Sequence, residues 1–281
     1  MKLANLAGRA TIVTAANGID VAAASDGRFG PEMADVYEQW AAFRDWAASS
    51  TDVADAVTVP FDESALDNPS PTARQVFGIG LNYRAHANET GRDVSSVPAT
   101  FTKFSSCLSG PFDDIVAGVP TVDWEVELVV VIGIEARNVA AADGWSHVAG
   151  LSVGQDISDR TLQSAAGNQF SLGKSRPGFG PMGPLLVTPD EFDNPDDLRL
   201  TCSIDGEVMQ DGRTSDLVFD VCALVAELSS VLTLLPGDVI FTGTPSGVGV
   251  ARKPPRFLQP GEVLETTIEG IGTMRNRIVG P

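Results

Sequence analysis

One stretch limits what this chain can fold into more than any other. From Val122 to Ile132 it reads Val-Asp-Trp-Glu-Val-Glu-Leu-Val-Val-Val-Ile. Leu128–Ile132 is apolar and mostly β-branched, and a run of that length behind polar residues reads as a strand buried on both faces. Alternate side chains of a strand share a face, so Glu125 and Glu127 point the same way at its mouth. Two carboxylates held together repel unless protons or a cation compensate, and a hard divalent cation with oxygen ligands is the economical answer. A strand end with both glutamates in solvent is the competing reading, and this segment alone does not choose. Asp156, where a second apolar strand runs into a polar turn, is either a third oxygen ligand or a helix cap.

The rest of the chain is legible mainly as strands. Val76–Leu81, Glu125–Gly133, Gly150–Ile157, Leu185–Val187, Leu198–Ile204, Asp238–Thr242, Glu262–Ile268 and Thr273–Ile278 are expected strands. Asp205-Gly206 marks a hairpin turn. One helix interrupts them, where Val221, Leu224, Val225, Leu228, Val231 and Leu232 form an apolar stripe. Strands and helices do not alternate, so neither a doubly wound sheet nor a TIM barrel fits. Residues 1–70 read as a small N-terminal domain. Short strands Arg9–Val13 and Ile19–Ala23 flank the turn Asn17-Gly18. A helix follows Pro31, with Val36, Trp40, Phe43 and Ala47 on one face, and Thr51–Ala73 reads as a linker into a catalytic domain over 71–281.

Hydrophobic residues make up 43% and charged residues 20% of the 281, enough for a substantial core. A formal net charge of -18 disfavours nucleic acid and anionic membranes as partners, and an anionic substrate would need a local positive site. No apolar stretch is long enough to span a bilayer, and the N-terminus lacks a signal peptide's apolar core, so a cytoplasmic protein is expected. Cys107, Cys202 and Cys222 lack Cys-x-x-Cys spacing and are expected as small buried hydrophobes.

There are two histidines. His147 sits in a turn-like stretch and is read as structural. His86 follows a strand, and on a helical turn it meets Glu89 three residues on. A carboxylate beside an imidazole orients it for acid–base work, against the competing reading of an exposed pair with no role. Lys103 lies between apolar neighbours and Lys174 lies in the glycine- and proline-rich loop Ser171–Pro181, so both are candidates for the local positive site. The loop Thr242–Gly249 has the glycine content of a phosphate loop without its Gly-Lys-Ser/Thr ending, which removes the nucleotide reading. Its N–H groups and the Thr244 hydroxyl could hold a carboxylate.

Taken in order, the segments GLNYRAHANE, PATFTKF, DWEVELVVVIG, QDISDRTLQ, GKSRPGFGPMGP and LLPGDVIFTGTPSGVG, over roughly 76–278, resemble the fumarylacetoacetate hydrolase family. The resemblance implies an α+β, β-rich fold, a mixed β-sandwich roll with a small N-terminal domain, usually in homodimers. It implies magnesium or manganese held by Glu125, Glu127 and Asp156. It places His86 and Glu89 as a dyad on a loop over the substrate, Gln163 and Lys174 on the scissile carbonyl, and Tyr83, Lys103, Arg160 and Thr244 near metal or substrate. Ala85, Gln155 and Phe170 depart from the usual pattern, where aspartate, asparagine and tryptophan are common. The expected activity is hydrolysis of a C–C bond in a β-diketo acid or acylpyruvate by a water that His86 activates. Oxaloacetate decarboxylation or keto–enol isomerisation at the same site is the alternative.

Overall fold

The computed structural model describes residues 1–15, 17–49, 58–91, 93–165, 167 and 169–281. The chain opens with the antiparallel meander β1 (Lys2–Leu6), β2 (Arg9–Val13) and β3 (Gly18–Asp20). The strand expected over Ile19–Ala23 stops at Asp20, because the Asp20 carboxylate accepts the N–H of Ala23 at 2.9 Å and caps helix α1 (Val21–Ala24) instead. The helix expected after Pro31 forms as two, α2 (Met33–Glu38) and α3 (Trp40–Ser49). Val36, Trp40 and Phe43 are buried as their spacing predicts.

Of the expected linker, residues 51–57 lie outside the described residues. The remainder is not a plain linker. β4 (Thr58–Val59) pairs with β3, and β5 (Leu66–Asp67) pairs with β1. Leu66 is buried there against Ala4 and Leu6, and that apolar contact recruits the stretch into the sheet.

The chain continues through β6 (Val76–Gly80), helix α4 (Arg84–Thr90), β7 (Ala99–Thr102), β8 (Leu108–Ser109), β9 (Ile115–Val116), β10 (Val122–Asp123), β11 (Val126–Ile132), β12 (Val148–Gln155), β13 (Ser158–Asp159), helix α5 (Arg160–Ala165) and β14 (Gly180–Val187), of which β6, β11, β12 and β14 answer to expected strands and the short strands β7, β8, β9, β10 and β13 do not. A hairpin of β15 (Arg199–Ile204) and β16 (Glu207–Arg213) turns at Asp205-Gly206, both at positive φ. Helix α6 (Val221–Val231) leads to β17 (Val239–Phe241), β18 (Val263–Ile268) and β19 (Gly272–Val279).

The large sheet runs β4-β3-β2-β1-β14-β12-β11-β17-β6-β7, and a second sheet runs β16-β15-β18-β19-β9. β17 lies parallel to β6 and antiparallel to β11, so the large sheet is mixed. β11 lies inside it with apolar groups on both faces. Val126, Leu128, Val130 and Ile132 face the core shared with the second sheet. Val129 and Val131 face the opposite core, which β1, β2, α2 and α3 complete through Leu3, Trp40 and Phe43. Trp40 approaches so closely that a Cβ added to Gly133 would lie 2.4 Å from its ring.

Candidate active site

Period-two geometry carries the face of Val129 and Val131 back to Glu127 and Glu125, so the N-terminal helices cover one end of that face and the carboxylates occupy the other. The antiparallel register pairs Val126 with Gln155, which puts Asp156 beside Glu125. The N–H of Asp156 donates to the Glu125 carbonyl at 2.9 Å. One oxygen each of Glu125, Glu127 and Asp156 lies within 4.8 Å of the others, and all three residues are buried.

Three cations meet this cluster. The Lys174 ammonium donates to Glu125 Oε2 and Asp156 Oδ2, each at 2.7 Å, with the Asp156 carbonyl at 3.4 Å. Lys103 is equally buried. Its ammonium donates to Asp156 Oδ1 at 2.7 Å, to the Phe179 carbonyl at 3.1 Å and to the Lys174 carbonyl. Arg160 reaches Glu125 Oε1 with Nη2 and Asp123 Oδ2 with Nε, both at 2.7 Å, and donates from Nη1 to Gln163 Oε1 at 3.0 Å. Burial alone would raise Glu125, but Lys174, Arg160 and His86 outweigh it and hold the carboxyl well below the usual range. Glu127 goes the other way. Burial, then repulsion from Asp156 and Glu125, pushes it well above. Among the described residues no ammonium or guanidinium forms an ion pair with Glu127, and its carboxylate accepts the N–H of Gly243 at 2.8 Å. The cluster thus lacks positive charge at Glu127, and an all-oxygen donor set with that deficit fits a hard divalent cation.

The chain leaves β6 through Leu81 at φ 55 and enters α4. Asn82 fixes the exit, with its side-chain amide bonded to the Phe219 and Thr242 carbonyls and to the N–H of Phe219. On α4, His86 Nδ1 lies 3.3 Å from Glu89 Oε2. Glu89 in turn accepts the N–H of Gly247 at 3.0 Å.

The glycine-rich loop after β17 therefore does hold carboxylates, but they are the protein's own. Gly243 N–H serves Glu127, Gly247 N–H serves Glu89, and the N–H groups of Gly249 and Val250 serve Asp123 at 2.8 and 2.9 Å. Gly243 has φ +105, and a Cβ there would stand 2.7 Å from the Asn82 Cβ. The Thr244 hydroxyl donates to the Val126 carbonyl at 2.8 Å and accepts from Gln210 at 2.8 Å.

A cavity of roughly 430 Å³ opens in front of the cluster. His86, Glu89, Glu125, Arg160, Gln163 and Lys174 form its polar wall. Thr244 also lines it, and Phe101 and Phe170, edge to face at 5.7 Å, form an apolar side. Glu127, Asp156, Lys103 and Tyr83 lie behind the wall. The Tyr83 hydroxyl is buried without a hydrogen-bond partner, and burial, with the charges of Glu127 and Asp216, raises its pKa. His147 stands on a separate turn, its ring nitrogen 3.0 Å from the Glu135 carbonyl. Cys107 and Cys202 are buried and Cys222 is half-buried, all as free thiols.

Three residues of this site have no role in the sequence reading. Asp123 gathers Arg160 and the glycine-rich loop, Gln155 accepts the N–H of Glu125 at 2.8 Å, and Gln210 accepts the N–H of Val126 at 3.0 Å. The available signal was a polar residue at the edge of a buried strand, which is too common to single them out.

Residues 75–279 match the family model described as fumarylacetoacetate (FAA) hydrolase C-terminal. The chain belongs to the fumarylacetoacetate hydrolase family. Among relatives of this family member, the oxaloacetate tautomerase FAHD2A, mitochondrial, of Homo sapiens is 42% identical over 224 residues, covering 79% of this chain and 71% of the relative. The structure of a candidate HpcE protein from Mycobacterium smegmatis superposes with a TM-score of 0.94 at 49% identity, covering 100% of this chain and 99% of that one. Maleylpyruvate hydrolase from Sphingobium sp. SYK-6, in complex with manganese(II) ion and pyruvate, gives a TM-score of 0.82 at 28% identity, covering 100% and 99%. These likenesses establish the β-rich α+β fold expected from the sequence. With the acidic triad they support a divalent metal. No helix among the described residues is long and apolar enough to cross a membrane.

Proposed function

We propose that this protein moves a proton at the carbon beside the oxo group of a small 2-oxo acid, a keto–enol tautomerisation of the oxaloacetate type. The observation that carries this reading is the His86–Glu89 pair in the wall of the cavity that also exposes Glu125, Arg160 and Lys174. A carboxylate only accepts hydrogen bonds, so Nδ1 of neutral His86 carries the proton and Nε2 keeps the lone pair a base needs. The Gly247 N–H fixes Glu89 and so orients the imidazole from behind. A divalent cation held by Glu125, Glu127 and Asp156 would act as a Lewis acid on the oxo-acid oxygen and stabilise the enolate. His86 takes the proton from carbon, and its return to oxygen or carbon gives enol or keto form with no other bond made or broken. Arg160 and Lys174 are spent on Asp123, Glu125 and Asp156, so a bound divalent cation would supply the local positive charge that an anionic substrate needs in a chain of net charge -18. The 42% identity to an oxaloacetate tautomerase supports the choice of reaction.

C–C hydrolysis is the second reading, favoured by the likeness to maleylpyruvate hydrolase. There His86 would deprotonate a water, and Lys174 and Gln163 would hold the carbonyl. In the structure, however, Lys174 donates to three oxygens of Glu125 and Asp156, and Gln163 Oε1 accepts from Arg160. Lys174 thus spends its three N–H groups on the protein's own oxygens and only the Gln163 Nε2 amide is left to donate to an oxyanion, and that ranks proton transfer first.

The test is oxaloacetate with and without Mg²⁺ or Mn²⁺, following enol loss by absorbance and proton exchange at C3 by NMR, beside a panel of acylpyruvates. We expect metal-dependent tautomerisation that His86→Ala slows by orders of magnitude. Release of an acid plus pyruvate from an acylpyruvate, faster than oxaloacetate interconverts, overturns this choice for the hydrolase. Carbon dioxide plus pyruvate overturns it for a decarboxylase.

A further inference from the structure

β11 begins its ladder at Val126, one residue after Glu125. The N–H groups of Glu125 and Val126 therefore sit in the interior just where the strand starts, and buried N–H groups need partners. Two glutamine side chains supply them, from opposite directions. Gln155, at the end of β12, accepts the Glu125 N–H with Oε1 at 2.8 Å, while its Nε2 donates to Thr266 Oγ1 of β18 at 2.9 Å. Gln210, on β16, accepts the Val126 N–H with Oε1 at 3.0 Å, while its Nε2 donates to Thr244 Oγ1 and the Pro245 carbonyl, both at 2.8 Å. Both glutamines are fully buried. The backbone of Glu125 is thus held on both sides, by Gln155 at its N–H and by Asp156 at its carbonyl.

Holding is required here. Three carboxylates converge against their mutual repulsion, and a strand end without fixed hydrogen bonds would relax by turning Glu125 and Glu127 apart. We propose that Gln155 and Gln210 are positioning residues for the carboxylate triad. They carry the rigidity of the second sheet, through Thr266 and β16, and of the Thr244–Pro245 loop into the strand that presents Glu125 and Glu127. This rests on the metal reading above. It also gives the departure at Gln155 a physical sense: its chain is one methylene longer than the asparagine common there, and it spans from Glu125 N–H to Thr266.

The test is Mn²⁺ binding by calorimetry and by the electron paramagnetic resonance spectrum of the bound ion, on the full chain. Gln155→Met and Gln210→Met keep volume and remove every hydrogen bond of the amide. Each is expected to weaken Mn²⁺ binding ~10-fold or more, the usual effect of removing a group that orients ligands, and to broaden the spectrum of the bound ion. Gln155→Asn keeps the amide, loses reach and serves if the methionine variant does not fold. It is expected to fall between. Val225→Ala, in the buried face of α6, is the control for lost stability alone and is expected to melt lower with Mn²⁺ affinity unchanged. Glutamine variants that bind Mn²⁺ as the wild type does, beside a wild type that binds it, overturn the positioning role only. A wild-type chain that takes up no Mn²⁺ overturns the metal reading and this one with it.

Discussion

Glu127 is the carboxylate whose charge the protein does not balance, so Glu127→Gln should have opposite effects on stability with and without metal. In the metal-free chain, oxygens of Glu125 and Asp156 lie within 4.8 Å of Glu127. At an effective dielectric of about 20, unit charges at that distance repel by about 3.5 kcal/mol. Two such neighbours act on Glu127, and attraction to Lys174 and Lys103 offsets most of their repulsion, leaving a net penalty on the order of 2 kcal/mol for the ionised form. Glutamine removes the charge, keeps an oxygen for the Gly243 N–H, and turns an NH₂ toward the neighbouring carboxylates. Without metal, the variant should melt higher than wild type by roughly 4–8 °C, taking 2–4 °C per kcal/mol for a chain of this size. With Mn²⁺ at a hundred times its dissociation constant, wild type should gain about 2.7 kcal/mol and the variant far less, so the order reverses. The pH dependence has a definite sign. The folded-state pKa of Glu127 is raised, so the stability linked to its protonation is fully present below the ordinary value of 4.5 and is lost as pH rises through the raised value. Metal-free wild type should therefore gain on the variant as pH falls through that window. Scanning calorimetry with chelator and with Mn²⁺, at two pH values, measures all three effects. A variant that melts below wild type without metal, or that gains equally from Mn²⁺, refutes the charge deficit.

Other perturbations probe the supports of the site. Lys103→Met should destabilise the chain by about 3–5 kcal/mol in urea unfolding, because Asp156 and two buried carbonyls lose a shared donor; a loss under 1 kcal/mol would count against a buried pair that matters. Trp40→Ala should cost about 3–5 kcal/mol by emptying the core that covers Val129 and Val131, with Mn²⁺ affinity kept. A fall in affinity there would show that the N-terminal helices reach the site energetically.

Much of the fold is legible in the sequence because strand signals are local. The β-branched run after Glu127, the Asp205-Gly206 turn and the part of the α6 stripe that is buried, Val221, Leu224, Val225 and Leu228 but not the exposed Val231, each depend on neighbours a few residues away. The strand expected over Ile19–Ala23 ends at Asp20 because capping by a carboxylate competes with β propensity, and apolar spacing does not register it. The stretch Thr51–Ala73 reads as linker because Leu66 has no periodic partners of its own. Its partners, Ala4 and Leu6, are sixty residues away.

The candidate site divides along the same line. By itself the sequence determined that Glu125 and Glu127 share a face, since a strand's period is two, and that His86 and Glu89 meet on one helical turn. The family resemblance implies Asp156 as their partner, but only the tertiary structure shows the physical reason, the Val126–Gln155 register. It also decided that the two buried lysines and Arg160 are bound to those carboxylates, and that the carboxylates the glycine-rich loop holds are the protein's own Glu127, Glu89 and Asp123. Those contacts join residues separated by 18 to 158 positions. No local propensity encodes them, because they depend on strand register and sheet order, which the whole core sets together.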